Sequence, residues 1–287
     1  GVGGVLLIGI ARQSTARLEH AMQAHEARFA APEAPLADAR VIELAHDPDY
    51  VRRFLEGSLD RAVIRRIGFP WSEGLVKRTL ASVGGSLAAA EEAMQTGWGG
   101  NLAGGTHHAF RGEGSGFCVF NDVAVAIRHL QQMGKAFRVS VIDLDVHQGN
   151  GTAAIFSGDP SVFTLSLHGA KNYPFQKEQS SLDVGLPDGC DDTTYLRALD
   201  EALEQVAAFR PDLVLYQSGV DGLEGDRLGR MSLSLDGLAR RDARVYALAK
   251  RLGVPIVATL GGGYGRDIDR TIRAHVAVFR ALAEAFR

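Results

Sequence analysis

Apolar, β-branched runs alternate with amphipathic stretches along the chain. VLLIGI (5–10), NLAGG (101–105), VSVID (139–143), SVFTLSL (161–167), DLVLYQ (212–217) and VPIVATL (254–260) read as strands. Ser14 and Ser72 can cap helices running to about residues 30 and 96, and Asp191 or Asp192 one reaching Phe209. Asp236 begins another helix, and Gly265 to Phe286 closes the chain. Strands separated by helices imply βαβ units and a parallel sheet covered on both faces, which is why these runs are apolar without strict alternation. No internal repeat, low-complexity tract or long Gly/Ser linker interrupts the pattern, so residues 1–287 read as a single α/β domain.

Polar clusters follow the ends of successive runs: GTHH after NLAGG, LDVHQGN after VSVID, SLH after SVFTL, SGVD after LVLYQ and GGGY after VPIVATL. In open parallel sheets ligands bind in the crevice outside the carboxyl ends of the strands, so clusters far apart in sequence are expected to meet there.

Composition narrows the function. Apolar residues make up 46% of the chain, ample for a large core, and 31 basic against 34 acidic residues give a net charge of -3 without single-sign blocks. That balance argues against nucleic acid or an anionic membrane as partner. The opening GVGGVLLIGIA lacks a basic flank and a cleavage pattern, and Arg12 stops it short of a membrane span, so it reads as a buried first strand. Two cysteines, Cys118 and Cys190, are too few for a disulfide framework and fit a reducing compartment, with the cytoplasm as the expectation.

Within VIDLDVHQGN, side chains two apart on a strand share a face, so Asp143, Asp145 and His147 are expected to project together. Asp221, after a neighbouring strand, completes an Asp/His/Asp set with a position left open for water, the arrangement of a catalytic zinc. Mixed oxygen and nitrogen ligands also accept ferrous iron or cobalt. His107 and His108, at a strand end opposite such a metal, are candidate general base and acid. Tyr264 follows three glycines that let the backbone approach a ligand, and its phenol can donate to a developing oxyanion. His20, His25, His46, His129 and His275 lack metal-like partners and read as surface or packing residues. Cys118 reads as a small buried apolar residue, and Asp226 and Arg227 as braces of the loop after Asp221.

Taken in order, GTHHAF, GSGFCVFND, DLDVHQGNGTAAIF, SLHGAKNYPF, SGVDGLEGDRLG and LGGGYGRD resemble the histone deacetylase superfamily, closest to bacterial class IV-like deacetylases. The resemblance runs from about Arg65 to Tyr264. It implies the arginase/deacetylase fold, a three-layer α/β/α domain with an eight-stranded, largely parallel sheet. It implies one zinc held by Asp145, His147 and Asp221, with His107 and His108 as the tandem catalytic histidines and Tyr264 polarising the acyl carbonyl. Gly116 and Phe117 would line the acyl channel, with Phe175 as its second wall. A structural potassium would sit on Asp143, Ser166 and the backbone carbonyls of Asp145, His147 and Leu167, while Asp143 also orients His107. Asn150 would be the partner of His108; being neutral, it fixes that imidazole without stabilising its charged form.

The reaction so implied is removal of acetyl or longer acyl groups from lysine side chains in proteins or peptides, or from acetylated small amines, with the oligomeric state left open. The N-terminal stretch departs from the family, since VLLIGI runs into ARQSTARLEHAMQ in place of a His-Arg-Phe-Pro-like rim loop. Two alternatives stand beside this reading. A binuclear ureohydrolase of the same fold would need a DxHxD strand end, and the third position here is Gly149. A non-catalytic acyl-lysine or polyamine binding module would have lost a ligand, histidine or tyrosine, and none is missing.

Overall fold

The structure, a computed structural model, describes the backbone of Leu6–Leu7 and residues 33–286. The strands are β1 (Leu6–Leu7), β2 (Trp98–Asn101), β3 (Val139–Asp143), β4 (Val162–Gly169), β5 (Leu182–Leu186), β6 (Leu213–Gln217) and β7 (Ile256–Thr259). They form one sheet in the order β1-β2-β7-β6-β3-β4-β5, and every pairing is parallel. The described residues thus contain seven strands, one fewer than the resemblance implies.

Nine helices are described: α1 (Ala39–Ile42), α2 (Pro48–Leu55), α3 (Arg61–Ile67), α4 (Glu73–Thr96), α5 (Asp122–Gln132), α6 (Asn150–Ile155), α7 (Asp192–Phe209), α8 (Leu235–Leu252) and α9 (Ile268–Ala285). Successive strand residues serve opposite layers. Val139, Val141, Leu213, Leu215 and Val257 pack with α1 to α5, whereas Ile142, Val214, Tyr216, Ile256 and Ala258 pack with α7, α8 and α9. Both faces are therefore apolar, which is why the strand sequences show no polar alternation.

Ser72 Oγ accepts the amide of Leu75 at 3.0 Å and starts α4, which ends at Thr96. Asp191 caps α7 by accepting from Thr194. α8 starts one turn position earlier than the sequence suggests: Ser234 is its cap, and Asp236 lies in its first turn. The helix expected after Ser14, with His20 and His25, lies outside the described residues.

Two strands differ from expectation. β2 ends at Asn101, because Gly104 and Gly105 take φ of 80° and 70°, a left-handed backbone that cannot extend a strand. NLAGG is therefore mostly the loop that leads to the histidine pair. The edge strand β5 was not foreseen, since LDVGL carries no apolar run and only Leu186 is buried.

Candidate active site

The loops after β2, β3, β6 and β7, four strands adjacent in the sheet, converge outside their carboxyl ends. β3 stops at Asp143, so Asp145 and His147 lie in the turn beyond it and not on the strand itself. Local hydrogen bonds, not the two-residue period, bring them together. Asp143 Oδ1 accepts the Asp145 amide at 3.2 Å, and Asp145 Oδ1 accepts the His147 amide at 2.9 Å. Asp221 follows β6, where its Oδ1 accepts the Val146 amide at 2.8 Å. After β7, the Gly262 amide donates to Asp145 Oδ2 at 2.6 Å.

These contacts aim one atom each of Asp145, His147 and Asp221 at a common point, all within 4.8 Å of one another. His147 Nδ1 lies 2.9 Å from Asp145 Oδ1 and 3.0 Å from Asp221 Oδ2. One ring proton cannot serve two carboxylates, and among the described residues Asp221 Oδ2 is buried without a hydrogen-bond donor. Burial opposes the charged imidazole, but Asp145 and Asp221 outweigh it and raise His147 to about 11. Burial and the neighbouring Asp145 raise Asp221 in turn. A divalent cation in place of that proton would satisfy all three groups, so the donor set fits a metal. Gly262 keeps the space open, since a Cβ there would collide with Asp221 Oδ2 and stand 3.0 Å from Asp145 Oδ2.

His107 and His108 face this cradle from the loop after β2, their ring centroids 4.1 Å apart. Both are buried, yet their partners differ. His107 Nδ1 donates to Asp143 Oδ2 at 2.6 Å, and its Nε2 lies 4.0 Å from Asp145 Oδ1. Burial lowers its affinity for a proton, but Asp143 and Asp145 prevail and raise it to about 9. His108 Nδ1 donates to the amide oxygen of Asn150 at 2.7 Å, leaving its Nε2 lone pair unengaged by that bond. Burial and the charge of His107 push His108 well below its ordinary 6.5. Neighbours in sequence are thereby held in opposite protonation states.

Tyr264 lies over His147, ring centroids 6.4 Å apart, and burial with the Asp145 and Asp221 charges pushes its phenol far upward, so it remains a donor. Asp226 and Arg227 hold its backbone: Asp226 Oδ2 accepts the Tyr264 amide at 2.6 Å, and Arg227 Nε donates to the Tyr264 carbonyl at 2.9 Å. Gly116 and Phe117 line the approach in a left-handed turn, φ 54° and 67°. A Cβ at Gly116 would stand 2.7 Å from His108 Cδ2, so only glycine fits there. Phe117 packs on Phe69 at 5.1 Å and is half exposed.

Across the channel the ring against His108 belongs to Tyr173, at 4.9 Å and nearly perpendicular, with its hydroxyl 2.9 Å from Ser115 Oγ. Phe175, expected in that position, is 86% exposed at the mouth. Sequence reasoning missed Tyr173 because NYPF offers two aromatic rings two residues apart and loop conformation alone selects between them. Asp143 and Ser166 are directly paired on β3 and β4, and Ser166 Oγ is 3.0 Å from His168 Nδ1. Leu167 is buried on β4. Among the described residues Asp145, His147 and Asp221 form the one cluster of metal-ligating geometry, and a Cβ at Gly149 would collide with Asp143 Oδ2. The second carboxylate that a binuclear site requires has no room there.

Comparison with known proteins is decisive at the level of family. The model of the histone deacetylase domain matches residues 11–280. The chain belongs to the histone deacetylase family. An uncharacterised protein of Picosynechococcus is 47% identical over 252 residues, covering 88% of this chain and 84% of the relative. The acetoin utilization protein AcuC of Bacillus subtilis is 34% identical, covering 83% of this chain and 67% of its own length. Histone deacetylase 2 of Arabidopsis thaliana is 39% identical, and the aligned part spans half the length of that relative. The crystal structure of an HDAC homolog complexed with SAHA superposes with a TM-score of 0.84 at 25% identity, covering 98% of this chain and 84% of the other. The three-layer α/β fold is thus that of the family.

Proposed function

We propose that this protein is a zinc-dependent deacylase that hydrolyses the amide of an acylated lysine side chain or of an acetylated small amine. The observation that carries the reading is the unlike pair of imidazoles, His107 on a carboxylate and His108 on a neutral amide, facing the three-ligand cradle. The SAHA complex of the structural relative supports an acyl-lysine-like ligand in the channel beside Phe117 and Tyr173.

Asp145, His147 and Asp221 would hold the zinc, which when bound supplies a Lewis acid that polarises an acyl carbonyl and brings the pKa of a water to about 7. Ferrous iron suits the same donors. His108 is neutral near pH 7 and can take a proton at Nε2, with Asn150 fixing the tautomer. His107 retains its proton against Asp143 and can deliver one from Nε2 to the departing amine. Tyr264 donates its phenolic hydrogen to the acyl oxygen as negative charge develops there.

Potassium would sit beneath, on Asp143, Ser166 and the carbonyls of Asp145, His147 and Leu167. The direct pairing of Asp143 with Ser166 supports that placement. A cytoplasmic site of action is supported by two buried, unpaired cysteines. Among the described residues no helix is long and apolar enough to cross a membrane.

The test is a panel of acyl-lysine peptides of increasing chain length together with acetylated polyamines, assayed with zinc and potassium present. Turnover is expected, with loss of about 10²- to 10⁴-fold in His108→Ala. Binding of these compounds without turnover by the wild-type protein would replace the enzyme with a binding module.

A further inference from the structure

The acyl channel opens through a mouth cavity of about 400 Å³ whose rim is unusual in charge. Arg65 and Arg66 come from the last turn of α3, Lys171 from the loop after β4, and Arg230 from the loop after Asp221. All four line the cavity, and no Asp or Glu does so among the described residues. The whole chain carries a net charge of -3, so this is a local excess and not the general character of the surface.

Their partners leave that excess in place. Arg66 pairs with Glu113 at 2.5 Å. Asp188 is shared between Arg230 at 3.3 Å and Lys171 at 4.0 Å. Two carboxylates, neither lining the cavity, thus stand against four cations, and Arg65 has no ion pair among the described residues. Two arginines in the last turn of a helix are explained by its dipole alone. Cations from two further loops converging on the same opening are not. Between them stand exposed apolar side chains, Phe175, Phe117 and Leu228, which offer contact to an extended segment of backbone.

We infer that this mouth selects acyl-lysines carried in acidic surroundings, with carboxylates at the residues flanking the acyl-lysine, and rejects cationic carriers such as acetylated polyamines and lysine-rich segments. The inference rests on the deacylase reading above and names the substrate class of the same site. A positive rim in front of a narrow channel raises the local concentration of an anionic segment and speeds its encounter, an effect that salt screens over about 8 to 10 Å.

The experiment compares three acetyl-lysine peptides of one length, with glutamate, serine or lysine at the flanking positions, and acetylspermidine as a fourth compound. The ratio of kcat/KM for the glutamate peptide over the lysine peptide is read at low and at high salt. At low salt a ratio of about 10 or more is expected, with acetylspermidine at or below the lysine peptide, collapsing towards one near 0.5 M salt. In Arg65→Glu/Arg230→Glu, two exposed substitutions, the low-salt ratio is expected to fall to one or below. Turnover of all three peptides with a wild-type ratio near one, or acetylspermidine as the best substrate, overturns the rim inference and leaves the deacylase standing. Absence of turnover for every compound overturns both.

Discussion

Nη1 of Arg241 donates to the carbonyl of Gly219 at 2.5 Å, two residues before Asp221. The same guanidinium holds Asp242 through Nε and Nη2 at 2.9 and 2.8 Å, and Asp242 also accepts from Tyr216. All three residues are fully buried behind the cradle. Arg241→Met is expected to strand the Asp242 charge and free the Gly219 carbonyl, costing about 3 to 5 kcal/mol of unfolding free energy. Urea denaturation of the metal-free protein measures it; a loss below about 1 kcal/mol would mean that the pair contributes little.

Without a metal, Asp221 is a buried carboxylate beside a second one, its Oδ2 lacking a donor among the described residues. Asp221→Asn removes that repulsion, so the metal-free variant is expected to be more stable than wild type by about 1 to 3 kcal/mol. It is also expected to lose the gain expected of wild type on adding zinc, about 2.7 kcal/mol at a hundredfold excess over Kd. Calorimetric melting with and without metal checks both signs.

Asp226 holds three amides, those of Leu228, Gly229 and Tyr264, at 2.8, 2.9 and 2.6 Å. It touches no reacting atom; it positions Tyr264. Asp226→Ala is expected to lower kcat by about 10- to 100-fold with a smaller change in KM, and Asp226→Asn to recover part of the loss through its remaining oxygen. Equal falls in both variants, or an effect confined to KM, would speak against positioning.

Replacing Asn150 by Asp puts a charge on the partner of His108, whose neutral form is the proposed proton acceptor. The carboxylate stabilises imidazolium, so the acidic limb of kcat/KM is expected to move to higher pH by about one unit or more in Asn150→Asp. An unshifted profile would remove His108 from that limb.

His46 is buried with Nδ1 donating to the Arg111 carbonyl at 3.2 Å and Nε2 accepting the Asn121 amide at 2.8 Å. Burial depresses it from 6.5 to about 4. Between these values the unfolded chain binds the extra proton. Stability is therefore complete above pH 6.5 and falls as pH drops towards 4, by about 3 kcal/mol at the limit. His168 and His275 are also depressed to about 4, so the contribution is isolated by difference. Between pH 6.5 and 4, His46→Gln is expected to show a shallower slope of unfolding free energy against pH than wild type.

The sheet and its chemistry were legible because apolar runs and strand-end polar clusters leave local signatures. VSVID and DLVLYQ became β3 and β6 nearly to the residue. Asp145 and His147 do meet, as strand alternation predicts, but a turn beyond β3 and not the strand itself aligns them. Arg241, Asp242 and Tyr173 were illegible as contributors, for their roles depend on which carbonyl or ring a distant segment presents. Gly262 carried a weak signal: three consecutive glycines mark a close approach, but not that one amide holds Asp145.

The sheet order places β7, the last strand made, between β2 and β6. A nascent chain that has not yet delivered residue 264 therefore lacks the strand that joins β2 to β6 or the loop after it, and with them the amide of Gly262 or the phenol of Tyr264, whatever the earlier segments have formed. A metal ion held by this cradle with native affinity would therefore report a chain extended at least as far as residue 264.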